Sequence, residues 1–275
     1  MSRIKKWWKS PRIRSIRRRI SNLQVLLFPL LGIIFRIWIL LVQWGVKYER
    51  RGPLSHFISQ NRPCIIALWH QSVFPLMWDL FRYTSVYPTL FMVSKGRIGT
   101  VGTYILNLFN VECVSTAVGK KDAVYELAKR ANETGKSVFI MADGSKGPNR
   151  EAKWGAIYLA RETGLPLIAP HAWGDNLIIL EKTWMKLALP KPWGHSTILT
   201  AEPLYVPSSA EKGDLESYRK ELEKRLNSAA DALEDYFNYG KSLDDWGPPS
   251  GIGMYLTGNE FLAGCNHFKS RVFKY

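Results

Sequence analysis

The stretch Ser137–Pro170 constrains the fold more than any other part of the chain. It opens with a short β-rich apolar run, Ser137–Met141, and breaks into Asp143-Gly144-Ser145-Lys146-Gly147-Pro148. A helix-like segment follows, with Ile157, Ala160 and Arg161 at one-turn spacing, and Gly164-Leu165-Pro166 leads into a second apolar run, Leu167–Pro170. Strand, polar loop, helix, strand is the βαβ rhythm of a parallel sheet. Ligands of such sheets gather at the carboxyl ends of the strands, where Asp143 to Lys146 would stand. The same residue types also make ordinary βα turns, so the loop alone does not choose between a site and a connection.

The remaining elements extend this rhythm. Cys64–Trp69 predicts a buried strand ending on His70, followed by an apolar helix to about Arg82. Thr89–Ser94 predicts a second strand, Gly99–Asn110 a helix, Val111–Ser115 a short strand and Asp122–Thr134 a helix ended by Gly135. Ser196–Leu204 is a plausible late strand. Leu215, Tyr218, Leu222, Leu226, Ala229, Leu233 and Tyr236 step by three or four, the signature of an amphipathic helix. The expected fold is α/β, a single domain over 52–238 with a central, mostly parallel sheet flanked by helices. A basic arm and membrane anchor would occupy 1–51, and a loosely structured tail 239–275.

Charge is unevenly shared. The net charge is +15, and residues 1–51 hold 13 of the 38 Lys/Arg but one acid. The body is nearly balanced, which argues against a nucleic-acid surface spread over the domain. Within the arm, Trp7-Trp8 among lysines and arginines suits a membrane interface with anionic lipids, but a nucleic-acid backbone would attract the same charges, so the arm alone does not decide. Leu23–Val46 is long enough as one helix to cross a bilayer. Arg36 in its middle and basic residues on both flanks favour a monotopic or re-entrant anchor over a span. Asn22, Pro29, Arg36 and Gln43 recur every seven residues, a stripe expected to pack on the soluble body. Three widely spaced cysteines support neither a disulfide framework nor a metal site.

If the sheet is parallel, His70, Lys95, Arg97, Asp143, Ser145 and Lys146 converge on one edge, with His171 a further candidate. That set offers a general base, a carboxylate and cations for an anionic substrate. The chain has no G-x-S-x-G elbow and no P-loop, and Gly96, Gly99 and Gly102 are misspaced for a dinucleotide fingerprint.

In this order the residues resemble the lysophospholipid (glycerolipid) acyltransferase superfamily. The likeness is closer to the branch formerly labelled a domain of unknown function, which includes some late lipid A acyltransferases. The resemblance covers roughly 20–237. His70 stands where the family has His-x4-Asp, and Asp143-Gly144-Ser145-Lys146 is similar to its Glu-Gly-Thr-Arg. The branch often reads Asp-Gly-Pro-x-Gly-Pro there, close to Asp143–Pro148. Pro166-Leu167-Ile168-Ala169-Pro170 resembles the fourth motif, and Trp184 with Pro190-Lys191-Pro192 is similar to a further feature of the branch.

The resemblance implies acyl transfer from a thioester, acyl-CoA or acyl-acyl carrier protein, to a hydroxyl of a phosphorylated lipid. No bound cofactor, metal or nucleic acid is implied, and the expected place is the cytoplasmic face of a bacterial inner membrane. Gly144, Ser145, Lys146, Gly147, Pro166 and Pro170 carry over as substrate contacts, with Arg97 or Arg150 assisting Lys146 at the phosphate. Two departures stand out. Pro75 replaces the motif's Asp, and Asp79, nine residues from His70, would face away from it. Asp143 is therefore the expected partner of the imidazole. The family's second-motif Arg has no counterpart, and Lys95 or Arg97 would have to replace it. The rival expectation is an inactive lipid-binding protein of the same fold, favoured by Pro75.

Overall fold

The computed structural model describes residues 32–80, 87–94, 97–107, 111–116 and 121–246. The chain divides into two compact units, Met1–Leu41 and Val42–Tyr275. A helix, α1, runs over 32–45. In it Ile33, Ile34, Ile37, Leu40, Leu41 and Trp44 are exposed. Among the described residues no helix is long and apolar enough to cross a membrane. Most of the basic arm, and Leu23–Leu31 of the expected anchor, lie outside the described residues.

The second unit is an α/β body with a mostly parallel sheet flanked by helices. Five parallel strands make that sheet in the order β4-β3-β5-β2-β6. They are β2 (Ile65–Leu68), β3 (Thr89–Ser94), β4 (Glu112–Thr116), β5 (Ser137–Met141) and β6 (Leu167–Ile168). Strand alternation sends Ile65, Ala67 and Trp69 to one face and Ile66 and Leu68 to the other. The first face packs on α5 (Lys121–Thr134), α6 (Trp154–Thr163) and α7 (Lys212–Tyr239). The second packs on α2 (Leu54–Ser59), α3 (Val73–Leu80) and α4 (Arg97–Asn107). Both faces are thus covered, and this is why β2 is apolar at every position.

A second sheet, in the order β1-β10-β7, combines β1 (Val46–Arg51), β10 (Gly194–Thr200) and β7 (Pro170–Gly174). β1 runs parallel to β10, and β7 antiparallel. The body therefore begins before residue 52: Val46–Arg51, expected as the end of the membrane anchor and its basic flank, is a strand of this sheet. Its basic residues do structural work. Arg50, 4% exposed, donates from Nε and Nη2 to both carboxylate oxygens of the fully buried Asp79 at 2.8 and 2.6 Å. Gln43 donates to Trp78 O at 2.8 Å, so this member of the polar stripe does face the body.

Helix α7 has a reciprocal capping box between Glu211 and Asp214 and ends on Gly240 in the left-handed region. Beyond it Leu243 is buried in a cluster with Trp173, Leu199 and Leu233, so the tail's first residues belong to the core. A separate two-stranded ribbon pairs β8 (Leu177–Ile179) with β9 (Ala188–Pro190). Sequence periodicity did not disclose it.

Candidate active site

The site forms where β2 and β5 end side by side. Their register pairs Leu68 with Met141, so Trp69-His70 and Ala142-Asp143 leave the sheet together. Ala142 N–H donates to Leu68 O at 2.8 Å and carries the pairing one step further. His70 then begins a 3-10 turn, His70–Ser72, that leads into α3. Its backbone N–H faces both Asp143 oxygens at 3.3 Å, and its ring Nδ1 lies 2.6 Å from Asp143 Oδ1. A carboxylate accepts at this contact, so Nδ1 is the donor, and in the neutral imidazole Nε2 then keeps its lone pair. Asp143 is fully buried, while the His70 side chain is 18% exposed. The structure thus brings the two residues together although 73 positions separate them. Asp79 points elsewhere, held by Arg50.

The loop after Asp143 is held from below. Gly144 has φ 66° and donates to Met141 O at 3.2 Å, so its N–H is spent within the turn. Ser145 and Lys146 are exposed, and their N–H groups form no backbone hydrogen bond among the described residues. Gly147 has φ 68° and precedes a cis bond to Pro148. The chain returns when Lys153 N–H donates to Ala142 O at 2.7 Å.

Arg150 binds protein groups rather than open space. Its Nε donates to Gln71 Oε1 at 3.0 Å, Nη1 to Asp231 Oδ1 at 2.9 Å, and Nη2 to Glu234 Oε1. Gln71 follows His70 directly, so Arg150 ties the histidine's turn to α7. Further along, Ala152 N–H donates to Glu223 Oε2 at 2.8 Å, Arg219 Nη1 to Ala152 O at 2.9 Å, and Asn227 Nδ2 to Arg150 O at 3.5 Å. Arg219, Glu223, Asn227 and Asp231 are four apart, one stripe of α7 turned toward this loop. That four-residue spacing is visible in the sequence beside the helix's hydrophobic stripe.

His171 is fully buried with neither ring nitrogen bonded among the described residues. Burial, with Arg150 adding a repulsive charge, pulls its pKa down to about 3. It is a neutral group on β7 within reach of the Arg150 charge. Pro170 opens β7, two residues past the carboxyl end of β6. Pro166 stands at the start of β6, beside Ile65 at the opposite end of β2, roughly 13 Å of strand away, so the structure does not join it to the cluster. Arg97 opens α4 at the carboxyl edge of β3. Lys95 lies outside the described residues.

A residue of the second wall comes from the ribbon's tip. Trp184 meets the His70 imidazole edge-on, with ring centroids 5.2 Å apart. It also covers Gly147, where a Cβ would stand 2.5 Å from the indole Cε3. The positive φ and this contact both require glycine there.

No family model matches the chain. It is similar to an uncharacterized protein of Rickettsia prowazekii (strain Madrid E), 24% identical over 197 residues, which cover 69% of this chain and 82% of that protein.

Proposed function

We propose that this chain is a membrane-associated acyltransferase that moves a fatty acyl group from a thioester donor to a hydroxyl of a phosphorylated lipid. The observation that carries this reading is the His70 Nδ1–Asp143 contact of 2.6 Å at the sheet edge. A base needs a partner that fixes its tautomer and stabilises the imidazolium formed on proton transfer, and a buried carboxylate supplies both. It also answers the substitution at Pro75, since the orienting acid arrives from β5 instead of α3.

In this mechanism His70 Nε2 takes the proton of the acceptor hydroxyl. The oxygen attacks the thioester carbonyl, forming the C–O bond. The tetrahedral oxyanion collapses, the C–S bond breaks, and the leaving thiolate takes the proton from His70. The N–H groups of Ser145 and Lys146, without a backbone acceptor among the described residues, would serve the developing oxyanion, and the Lys146 ammonium the acceptor's phosphate as a point charge. Arg150 acts as a positioning residue.

The test is acyl transfer in membranes carrying wild type or His70→Ala, with labelled acyl-CoA and acyl-acyl carrier protein and a panel of phosphorylated lipid acceptors. A product made by wild type and reduced at least a hundredfold in the variant supports the reading. A product unchanged in the variant, or none with any acceptor, rejects it.

A further inference from the structure

The β8–β9 ribbon turns apolar and cationic side chains to solvent. Its pairs Leu177–Pro190 and Ile179–Ala188 face inward, and Ala188 joins the cluster of Trp173, Leu199 and Leu233. Alternation places the intervening pair, Ile178–Leu189, on the outer face, where a half-solvated ribbon would carry polar residues. Ile178 is 44% and Leu180 38% exposed. Lys182 and Lys186 lie in the ribbon's loop with Glu181, and Lys191 follows β9; all are exposed, and the three lysines have no ion-pair partner among the described residues.

The ribbon's base is fixed. Asn176 Nδ2 donates to Trp193 O at 2.7 Å and His195 N–H to Asp175 Oδ1 at 2.8 Å. Between them Trp193 holds a φ of 62° and is 60% exposed. A strained backbone persists where its surroundings over-determine it, and here the result is an indole held outward. Trp193 packs against Gly45, where a Cβ would stand 2.8 Å from Trp193 N, and the neighbouring Trp44 is 80% exposed.

We propose that the ribbon, with Trp193 and Trp44, is a docking surface for an anionic lipid bilayer, separate from the basic arm. Tryptophan settles at the headgroup level, and lysines among aliphatic residues lay their stems along hydrocarbon and keep the ammonium at anionic phosphates. A nucleic-acid surface has no use for exposed Ile178 and Leu180, and protein interfaces are depleted in lysine at their cores. The docking deepens the acyltransferase reading and rests on it in one step only. Because Trp184 at the ribbon's tip touches His70, a docked ribbon sets the base beside the surface that supplies the lipid acceptor.

The test is hydrogen–deuterium exchange of the full chain with vesicles of phosphatidylcholine alone or mixed with phosphatidylglycerol. Exchange over 177–193 should slow with the mixed vesicles only. Lys182→Gln with Lys191→Gln should weaken vesicle binding roughly thirtyfold, each lysine near an anionic surface contributing about a factor of five. His70→Ala should dock like wild type; docking by both proteins with no acyl transfer by wild type, or with transfer unchanged in the variant, sinks the enzyme reading and leaves this one standing. Vesicle binding with unchanged exchange over 177–193, equal protection by phosphatidylcholine alone, or no binding at all overturns the docking surface.

Discussion

Two walls meet over His70, and they are built by opposite means. The loop 143–153 is tied to α7 and to the histidine's own turn by a run of hydrogen bonds, several of them charge-assisted. The ribbon β8–β9 touches the site through one indole, Trp184, and presents an apolar outer face. Charge-assisted contacts at fixed geometry suit a wall that must hold a base within a fraction of an ångström. A ribbon tip joined by packing can yield to a bulky lipid. If the proposed acyl transfer holds, the contrast divides chemistry and substrate admission between different supports, with Gly147 and Trp184 as the point where they touch.

The largest expected effect comes from the fixed wall's innermost contact. Asp143→Asn keeps the shape but presents an amide that can donate to Nδ1, which favours the wrong tautomer. Transfer should fall by about 10³–10⁴-fold with KM little changed. Steady-state kinetics checks this. Activity within tenfold of wild type would mean that His70 needs no orienting acid.

Much of that wall was legible in advance. Asp143 could be paired with His70 because strand-end residues of a parallel sheet converge, and β2, β3 and β5 each announced themselves as short apolar runs. What stayed hidden depends on pairings that no local pattern encodes. Arg50 and Arg51 sit among basic residues and read as arm, yet Arg50 is a core residue because Asp79 waits for it 29 positions later. The three-residue strands of the ribbon are too short to show alternation, so Trp184 could be noticed as a motif residue but not placed on the imidazole. Arg150 reads in the sequence only as an alternative to Arg97 at a phosphate, because nothing in its own loop predicts that Asp231 and Glu234 will bind its guanidinium.

Arg150→Met tests whether the fixed wall is fixed by that guanidinium. It leaves Glu234 part-buried without its cation and frees the turn after His70. Stability should fall by about 2–3 kcal/mol, read by urea denaturation, and kcat should fall more than KM rises. In a double-mutant cycle with Glu234→Gln the two losses should not add. Additive losses would show that the loop is held elsewhere.

His171, which feels the Arg150 charge, probes the surroundings of that wall through pH. Its folded pKa of about 3 lies below the ordinary value of 6.5, so the unfolded chain binds the extra proton between these values. Stability therefore declines as pH falls from 6.5 toward 3, by about 1.4 kcal/mol per unit from this group, and nothing is lost above 6.5. His171→Phe removes the titrating ring and two unbonded nitrogens. Its denaturation midpoint should match or exceed wild type at neutral pH and drop less steeply between pH 6.5 and 5. A parallel acid limb in the two proteins would show that His171 is not buried neutral.

The smallest effect belongs to the yielding wall, and it separates the two supports. Trp184→Ala removes one edge-on ring contact, a loss of about 0.5–1.5 kcal/mol in stability. If Trp184 only admits substrate, KM for the lipid acceptor should rise with kcat held within about threefold, which requires that the Asp143 contact alone fix the imidazole. Gly147→Ala then supplies the cross-check. Its Cβ would overlap the indole at 2.5 Å, while the positive φ of 68° is strained whatever the space. In wild type the substitution should disturb both walls. In the Trp184→Ala background the overlap is gone and only the strain remains, so Gly147→Ala should cost less there than alone. Equal costs in both backgrounds would mean that the loop bears the whole effect and the ribbon tip does not press on it. A kcat loss in Trp184→Ala as deep as that of Asp143→Asn would erase the distinction between the walls, because the indole would then be holding the base.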